Sequence, residues 1–373
     1  MPEIKFQRVS KIYKPNIKAV DDLNFTIYDG EYISLLGPSG CGKTTTLRLL
    51  SGLIKPTIGS ILWDGVPVEN IDPDQRDIGY VFQQFAIFPH LNVYENVAFG
   101  PRVKGMKQVD IEDITEAHLK LVGLQEKSYY FPKSLDAADL QRTGIARVLA
   151  TGAKTLLLDE PMGALDFKIR EKFQDELLRI VKELKLTAIH VTHDQSEGMA
   201  ISDRIGVMKK GKMIQISSPL DYLYSPKQIF SAHFIGESDF FEGVVVKYLS
   251  KTIEIELLGD ETLSILTKTN PSILPGDRVV VGVRREFFKI EPLPENYNLE
   301  VNCFVGKVIS DRFLGEKRRT KVNLEFGRTL EIKRNSNELV FKEGSSVLVR
   351  IPEQAIRVFK SPEISLIDEL EVT

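Results

Sequence analysis

Cysteine is nearly missing from this 373-residue sequence. Only Cys41 and Cys303 occur, far apart, so neither a disulfide framework nor a zinc ribbon is indicated and a reducing cytoplasm is the expected compartment. A basic excess is missing too. Lysine and arginine number 49 against 52 aspartates and glutamates, a formal net charge of -3, which offers nothing for gripping a phosphate backbone and argues against a nucleic-acid partner. No apolar stretch approaches the roughly 20 residues of a membrane-spanning helix, and Met1 to Phe6 runs into a strand pattern without a signal-peptide core. Work at a membrane would therefore go through a partner. The length itself leaves room for two or more domains with large cores.

What is present centres on Gly37-Pro38-Ser39-Gly40-Cys41-Gly42-Lys43-Thr44, followed by Thr45. It matches the phosphate-cradling pattern G-x-x-x-x-G-K-[ST], whose meaning depends on its setting. The setting is right: Tyr32 to Leu36 is an apolar run of buried-strand type, and Thr44 to Leu50 has helical spacing up to Gly52. Glycines let backbone N–H groups turn inward around a polyphosphate, the helix N-terminus adds its positive dipole end, Lys43 supplies a point charge and Thr44 can hold Mg²⁺. The ligand this implies is a Mg-nucleoside triphosphate.

Around the loop, Glu3 to Val9 and Asp22 to Ile27 alternate as antiparallel strands joined through Lys14-Pro15-Asn16. Tyr13 can stack on a base or serve ordinary packing. Ile78 to Gln84 reads as a buried strand ending on polar residues, where Gln83 can ligate Mg²⁺ and position water or merely satisfy loop backbone. Helical spacing over Asp110 to Leu124 and Ala138 to Ala150 predicts a helical insert. Thr155 to Leu158 is an apolar strand ending on Asp159-Glu160, a pair suited to holding Mg²⁺ and to accepting a proton from attacking water. An amphipathic helix over Lys168 to Lys185 leads to the strand Ala188 to Thr192. At its end His193 can contact a terminal phosphate, whereas His190 sits inside the strand as a packed residue.

Together, Tyr13, Gly37 to Thr45, Gln83, Leu158-Asp159-Glu160-Pro161, Leu165-Asp166 and His193-Asp194-Gln195-Ser196-Glu197 resemble the nucleotide-binding subunits of ATP-binding cassette transporters, in particular those of importers of sugars, polyamines or ferric iron. The resemblance covers about residues 1–235 and implies an α/β P-loop NTPase cassette, with a helical subdomain at about 84–150. It implies ATP and Mg²⁺ as cofactors, with Tyr13 stacking on adenine, Lys43 and Thr44 on phosphate and Mg²⁺, and Asp159 on the metal. Glu160 would be the general base, Gln83 the metal and water sensor beside the membrane-subunit contact, His193 the γ-phosphate sensor, and Asp166 a residue of the dimer seam. Such cassettes work as head-to-tail dimers at the cytoplasmic face of the cell membrane, peripheral to transmembrane permease subunits and served indirectly by an external solute-binding protein.

The signature helix of these cassettes departs from the family pattern. Leu135-Asp136-Ala137-Ala138-Asp139 stands where the family has Leu-Ser-Gly-Gly-Gln, and Gly163 replaces a serine before Ala164-Leu165-Asp166. Asp136 remains a good N-cap, but carboxylates near a γ-phosphate are expected to clamp it poorly. Two readings follow: an ATP-hydrolysing importer motor, or a catalytically weak structural or regulatory cassette that needs a heterologous ATPase partner. The second cassette subunit would then be a different chain, with a homodimer as the alternative. A cassette protein of DNA repair or translation would bring a duplicated cassette, a long coiled coil or a basic surface, and none is visible. From residue 236 to 373 short alternating strands, such as Phe241 to Val246 and Ser346 to Ile351, resemble the all-β oligonucleotide-fold-like regulatory barrels attached to importer cassettes. There Arg285 stands where such domains often have proline, and the charge run Glu316 to Arg319 reads as a polar hairpin tip.

Overall fold

The computed structural model describes residues 3–249, 252–258, 264–268, 273–296 and 301–371. They fall into two compact units, Met1–Pro219 and Leu220–Val372.

In the first unit the strand runs that are apolar without alternation go to the centre of one sheet. β1 (Ile4–Tyr13), β2 (Ile17–Ile27) and β3 (Tyr32–Leu36) precede α1 (Lys43–Ser51), followed by β4 (Ile58–Trp63), β5 (Val66–Pro67) and β6 (Ile78–Val81). Then come α2 (Val93–Val103), α3 (Gln108–Leu121), α4 (Ala137–Leu149), β7 (Thr155–Asp159), α5 (Phe167–Glu183), β8 (Thr187–Val191), α6 (Gln195–Ile201), β9 (Arg204–Lys209) and β10 (Lys212–Ser217). All five residues of β3, β7 and β8 are buried, as expected of parallel strands covered on both faces. The sheet order is β10-β9-β3-β8-β7-β6, parallel except for the β10 edge. A second sheet, β2-β1-β4-β5, is antiparallel and alternates inward and outward. Its inner residues Phe6, Leu23 and Ile61 share a core with Leu35, Leu47 and Ile189.

The sheet order has a functional consequence. The loop after β3, the residues after β8, the acidic pair after β7 and the glutamine after β6 stand in one row along the carboxyl ends of adjacent strands, where open α/β sheets bind ligands.

The helical insert contains one more helix than the spacing predicts. α3 and α4 lie where expected, but α2 was unforeseen although Asn92 and Glu95 form a reciprocal capping box at its start. Gly100 and Pro101 near its end hid the helical pattern.

In the second unit α7 (Pro219–Tyr224) and α8 (Ile229–Phe234) precede β11 (Ser238–Leu249), β12 (Thr252–Leu257), β13 (Ser264–Lys268), β14 (Arg278–Arg284) and β15 (Lys289–Pro292). β16 (Cys303–Phe313), β17 (Lys317–Leu324), β18 (Thr329–Asn335), β19 (Ser346–Arg350), β20 (Arg357–Lys360) and α9 (Leu366–Leu370) complete it. Two antiparallel five-stranded sheets, β13-β12-β11-β14-β20 and β15-β19-β16-β17-β18, bury one continuous core that includes Phe241, Ile255, Val281, Val322 and Val349. The polar-tip reading of Glu316 to Arg319 is corrected at Arg318, whose guanidinium is buried 3.2 Å from the buried carboxylate of Asp311. That carboxylate also meets Arg334 at 3.0 Å and accepts from the Phe341 N–H and the Thr320 hydroxyl. Burial alone would raise the Asp311 carboxyl, yet these hydrogen bonds and the arginines hold it below its ordinary range. Arg285, in place of proline, meets Glu237 at 2.8 Å and Glu331 at 3.3 Å, so its role here is an ion-pair hub.

Candidate functional site

The phosphate loop forms because its backbone must go where a Cβ cannot. Gly42 sits at φ 107°, and a Cβ there would collide with the Ala19 carbonyl, as one on Gly37 would with that of Met208. α1 then begins at Lys43 with no side-chain cap on its N-terminus, leaving backbone donors aimed at the loop's hollow. The Lys43 ammonium is buried within the loop and donates to the carbonyls of Gly37 at 2.7 Å and Pro38 at 2.9 Å. Cys41 lies beneath, its Sγ 3.8 Å from Lys43 Nζ; burial pushes its thiol up although the ammonium opposes this.

The acidic pair meets the loop directly. Asp159 accepts from the Thr44 hydroxyl at 3.0 Å through Oδ1 and from the Tyr80 hydroxyl at 2.9 Å through Oδ2. Burial and the neighbouring carboxylate push the Tyr80 phenol far up, so it is a proton donor at any physiological pH. Glu160 follows in the left-handed region at φ 49°, a strained setting for a non-glycine residue. Its N–H is tied to the Val191 carbonyl at 2.9 Å, which brings the end of β7 against the end of β8. Glu160 Oε2 accepts from the Gln83 amide at 2.8 Å and lies 3.5 Å from His193 Nδ1. Thus Lys43, Thr44, Asp159, Glu160, Gln83 and His193, drawn from four strand ends, converge on one cleft.

Among the described residues no three His, Cys, Asp or Glu side chains gather into a metal cluster. One carboxylate and one hydroxyl beside a phosphate cradle is nonetheless a donor set that suits Mg²⁺, which keeps several waters and shares phosphate oxygens.

Other named residues are placed less directly. Tyr13 ends β1 with its ring 40% exposed and Lys11 Nζ 5.3 Å from the ring centroid, available for stacking. Asp166 caps α5 by accepting from the Ile169 N–H, and Arg170 of that helix pairs with Asp194 at 2.9 Å. His190 is packed as expected, but it is also wired: Tyr32 lies 3.1 Å from its Nδ1 and Glu197 3.0 Å from its Nε2. Burial would raise Glu197, but His190 and Thr192 outweigh it and hold the carboxyl below its ordinary range.

The two signature carboxylates part ways. Asp136 is exposed and caps α4, accepting from the Asp139 N–H at 2.8 Å. Asp139 is buried and turned inward against Lys127, with Arg142 at 3.6 Å; Leu135, Ala137 and Ala138 pack in the same helical core. The expectation of two carboxylates facing a phosphate therefore reduces to one, because Lys127 reaches back to neutralise the other.

Behind the signature helix lies the loop that carries Gln83. Arg147 of α4 donates to the Ala86 carbonyl at 2.7 Å and sits 5.2 Å from the centroid of Phe88. Buried Asn96, which the spacing gave no reason to single out, bonds both backbone groups of Phe88 and the carbonyls of Leu91 and Asn92. Val93 and Val97 turn into the core, while Phe88 stacks on Phe99 and both stay partly exposed.

Comparison with known proteins places this geometry. Residues 20–163 match the family model described as ABC transporter. The spermidine/putrescine import ATP-binding protein PotA of Trichormus variabilis is 40% identical over 323 residues, 84% of this chain and 81% of that protein. The PotA of Thermobifida fusca is 36% identical over 373 residues, 98% of this chain and 94% of its own length. Among solved structures, the ATP-binding cassette MJ0796, a dimer in a post-hydrolysis state with ADP and phosphate, matches at a TM-score of 0.53 and 33% identity. The match covers 58% of this chain and 98% of that one.

Proposed function

The chain belongs to the ABC transporter family as the ATP-hydrolysing subunit of an importer, and from that premise we propose that its cargo is a small polyamine of the spermidine and putrescine class. The site reading is carried by the convergence of Thr44 with Asp159, and of Gln83 and His193 with Glu160, beside the phosphate loop. The cargo rests on the relatives. It is tested by ATP-dependent uptake of labelled spermidine against an amino acid and a sugar, and preference for a non-polyamine would overturn it.

In this reading Lys43 and the α1 N-terminus bind the β- and γ-phosphates, and Tyr13 stacks on the adenine. Bound Mg²⁺ would neutralise phosphate charge, with Thr44, Asp159 and Gln83 as the residues that would hold it. Glu160 takes the proton of the attacking water, Gln83 keeps that carboxylate oriented until nucleotide arrives, and His193 donates toward the γ-phosphate. The chain works from the cytoplasmic face of the membrane, bound to transmembrane permease subunits; among the described residues no helix is long and apolar enough to cross a membrane.

Contact with the permease falls to the patch around Phe88 and Phe99, because Arg147 and Gln83 connect it to both the signature helix and Glu160. Phe88→Asp is expected to weaken assembly with the permease by about 30-fold, the effect of losing an interface anchor worth about 2 kcal/mol, while ATP affinity is kept. Pull-down of an intact, coupled complex would contradict the assignment.

The charged signature favours an asymmetric cassette pair. Two copies of this chain would present Asp136 to both nucleotides, whereas the full catalytic set is best used against a partner with an unaltered signature. A unit charge 4 Å from a phosphate at an effective dielectric of 20 costs about 4 kcal/mol, and screening at an exposed position reduces this. Rebuilding Asp136 to Asp139 as Ser-Gly-Gly-Gln should then raise the ATPase rate of the isolated chain by about 10- to 100-fold, and Asp136→Ser alone should supply most of the gain. Robust hydrolysis by the native chain without gain would show that no partner is needed.

A further inference from the structure

We infer that Tyr80 is a positioning residue for the carboxylate that takes Mg²⁺, so that a single strand end, that of β6, governs both acids of the Asp159-Glu160 pair. The inference rests on the Mg-nucleotide reading of the site and adds a residue that reading does not use. Parallel pairing sets Tyr80 opposite Leu157 and Val81 opposite Leu158, so residues leaving β6 run alongside those leaving β7. Tyr80 donates to Asp159 at 2.9 Å, and three residues on Gln83 donates to Glu160 at 2.8 Å.

Both oxygens of Asp159 are engaged, Oδ1 by Thr44 and Oδ2 by Tyr80, and these two donors fix a torsion that is otherwise broad for a carboxylate. They are not equivalent. A threonine hydroxyl that ligates a cation turns its lone pairs to the metal, so its hydrogen bond to Asp159 cannot be relied on in that state. The phenol can keep donating, and it alone then orients the carboxylate, the role that outer partners of metal ligands play. The ring is held for this: it stacks on Phe82 with centroids 4.3 Å apart.

Tyr80→Phe keeps the stacked ring and removes only the hydroxyl. The test is Mn²⁺ binding followed by electron paramagnetic resonance at saturating ATP, in a Glu160→Gln background that halts turnover, with ATP affinity measured separately in EDTA. Mn²⁺ affinity is expected to fall about 10-fold or more, with metal-free ATP affinity unchanged. Equal Mn²⁺ affinity would overturn the inference, and so would an equal loss of ATP affinity in EDTA, which would make Tyr80 a support of the loop alone. ATP binding by the Glu160→Gln parent in EDTA reports on the nucleotide site itself; its failure would overturn both readings.

Discussion

Glu160→Gln is expected to lower ATP turnover by about 10²- to 10⁴-fold, the usual contribution of a positioned general base, while ATP affinity stays nearly unchanged. The amide is isosteric and still offers an oxygen to the Gln83 amide, which now lies 2.8 Å from the carboxylate. The Val191 carbonyl continues to hold the backbone of residue 160, so the strained turn and the rest of the cleft persist. What is lost is basicity, an interaction realised only as the water is deprotonated, and such a change lowers kcat without weakening binding. Phosphate release in the steady state, set beside calorimetric ATP binding, checks it; equal loss in both would mean that Glu160 binds rather than catalyses.

Lys43→Ala is expected to weaken ATP binding by at least about 100-fold. Its ammonium is the single cation of the loop from Gly37 to Thr44, and it is already fixed within it by two carbonyls. Hydrogen bonds to charged groups contribute roughly 1.5–3 kcal/mol each. Removing the ammonium loses those it makes to phosphate and leaves the Gly37 and Pro38 carbonyl oxygens, which repel phosphate, without a counter-charge. Calorimetry of the variant giving undiminished affinity would remove the phosphate-loop assignment, on which every other residue role depends.

The cassette was legible because its chemistry sits at strand ends. A buried parallel strand is an apolar run, so the polar residues that end Tyr32–Leu36, Thr155–Asp159 and Thr187–Val191 stand out without alignment. What stayed hidden depends on partners distant in sequence. Tyr80 reads as one more aromatic in a strand, and its value lies in a carboxylate 79 positions away. Asp139 reads as a charge at a phosphate clamp, but Lys127, at the end of a different helical turn, draws it inward. Arg318 likewise reads as hairpin polarity, while the fold buries it on Asp311. Period and motif show which residues carry charge; only the packing shows which way each charge faces.

The account stands or falls on coupling ATP hydrolysis to import, and the most direct measurement is labelled-spermidine uptake by cells whose only copy of this chain is native or Glu160→Gln. Equal amounts of both proteins at the membrane, with uptake falling to background in the variant, is the predicted result. Uptake at the native rate in the Glu160→Gln cells would contradict it.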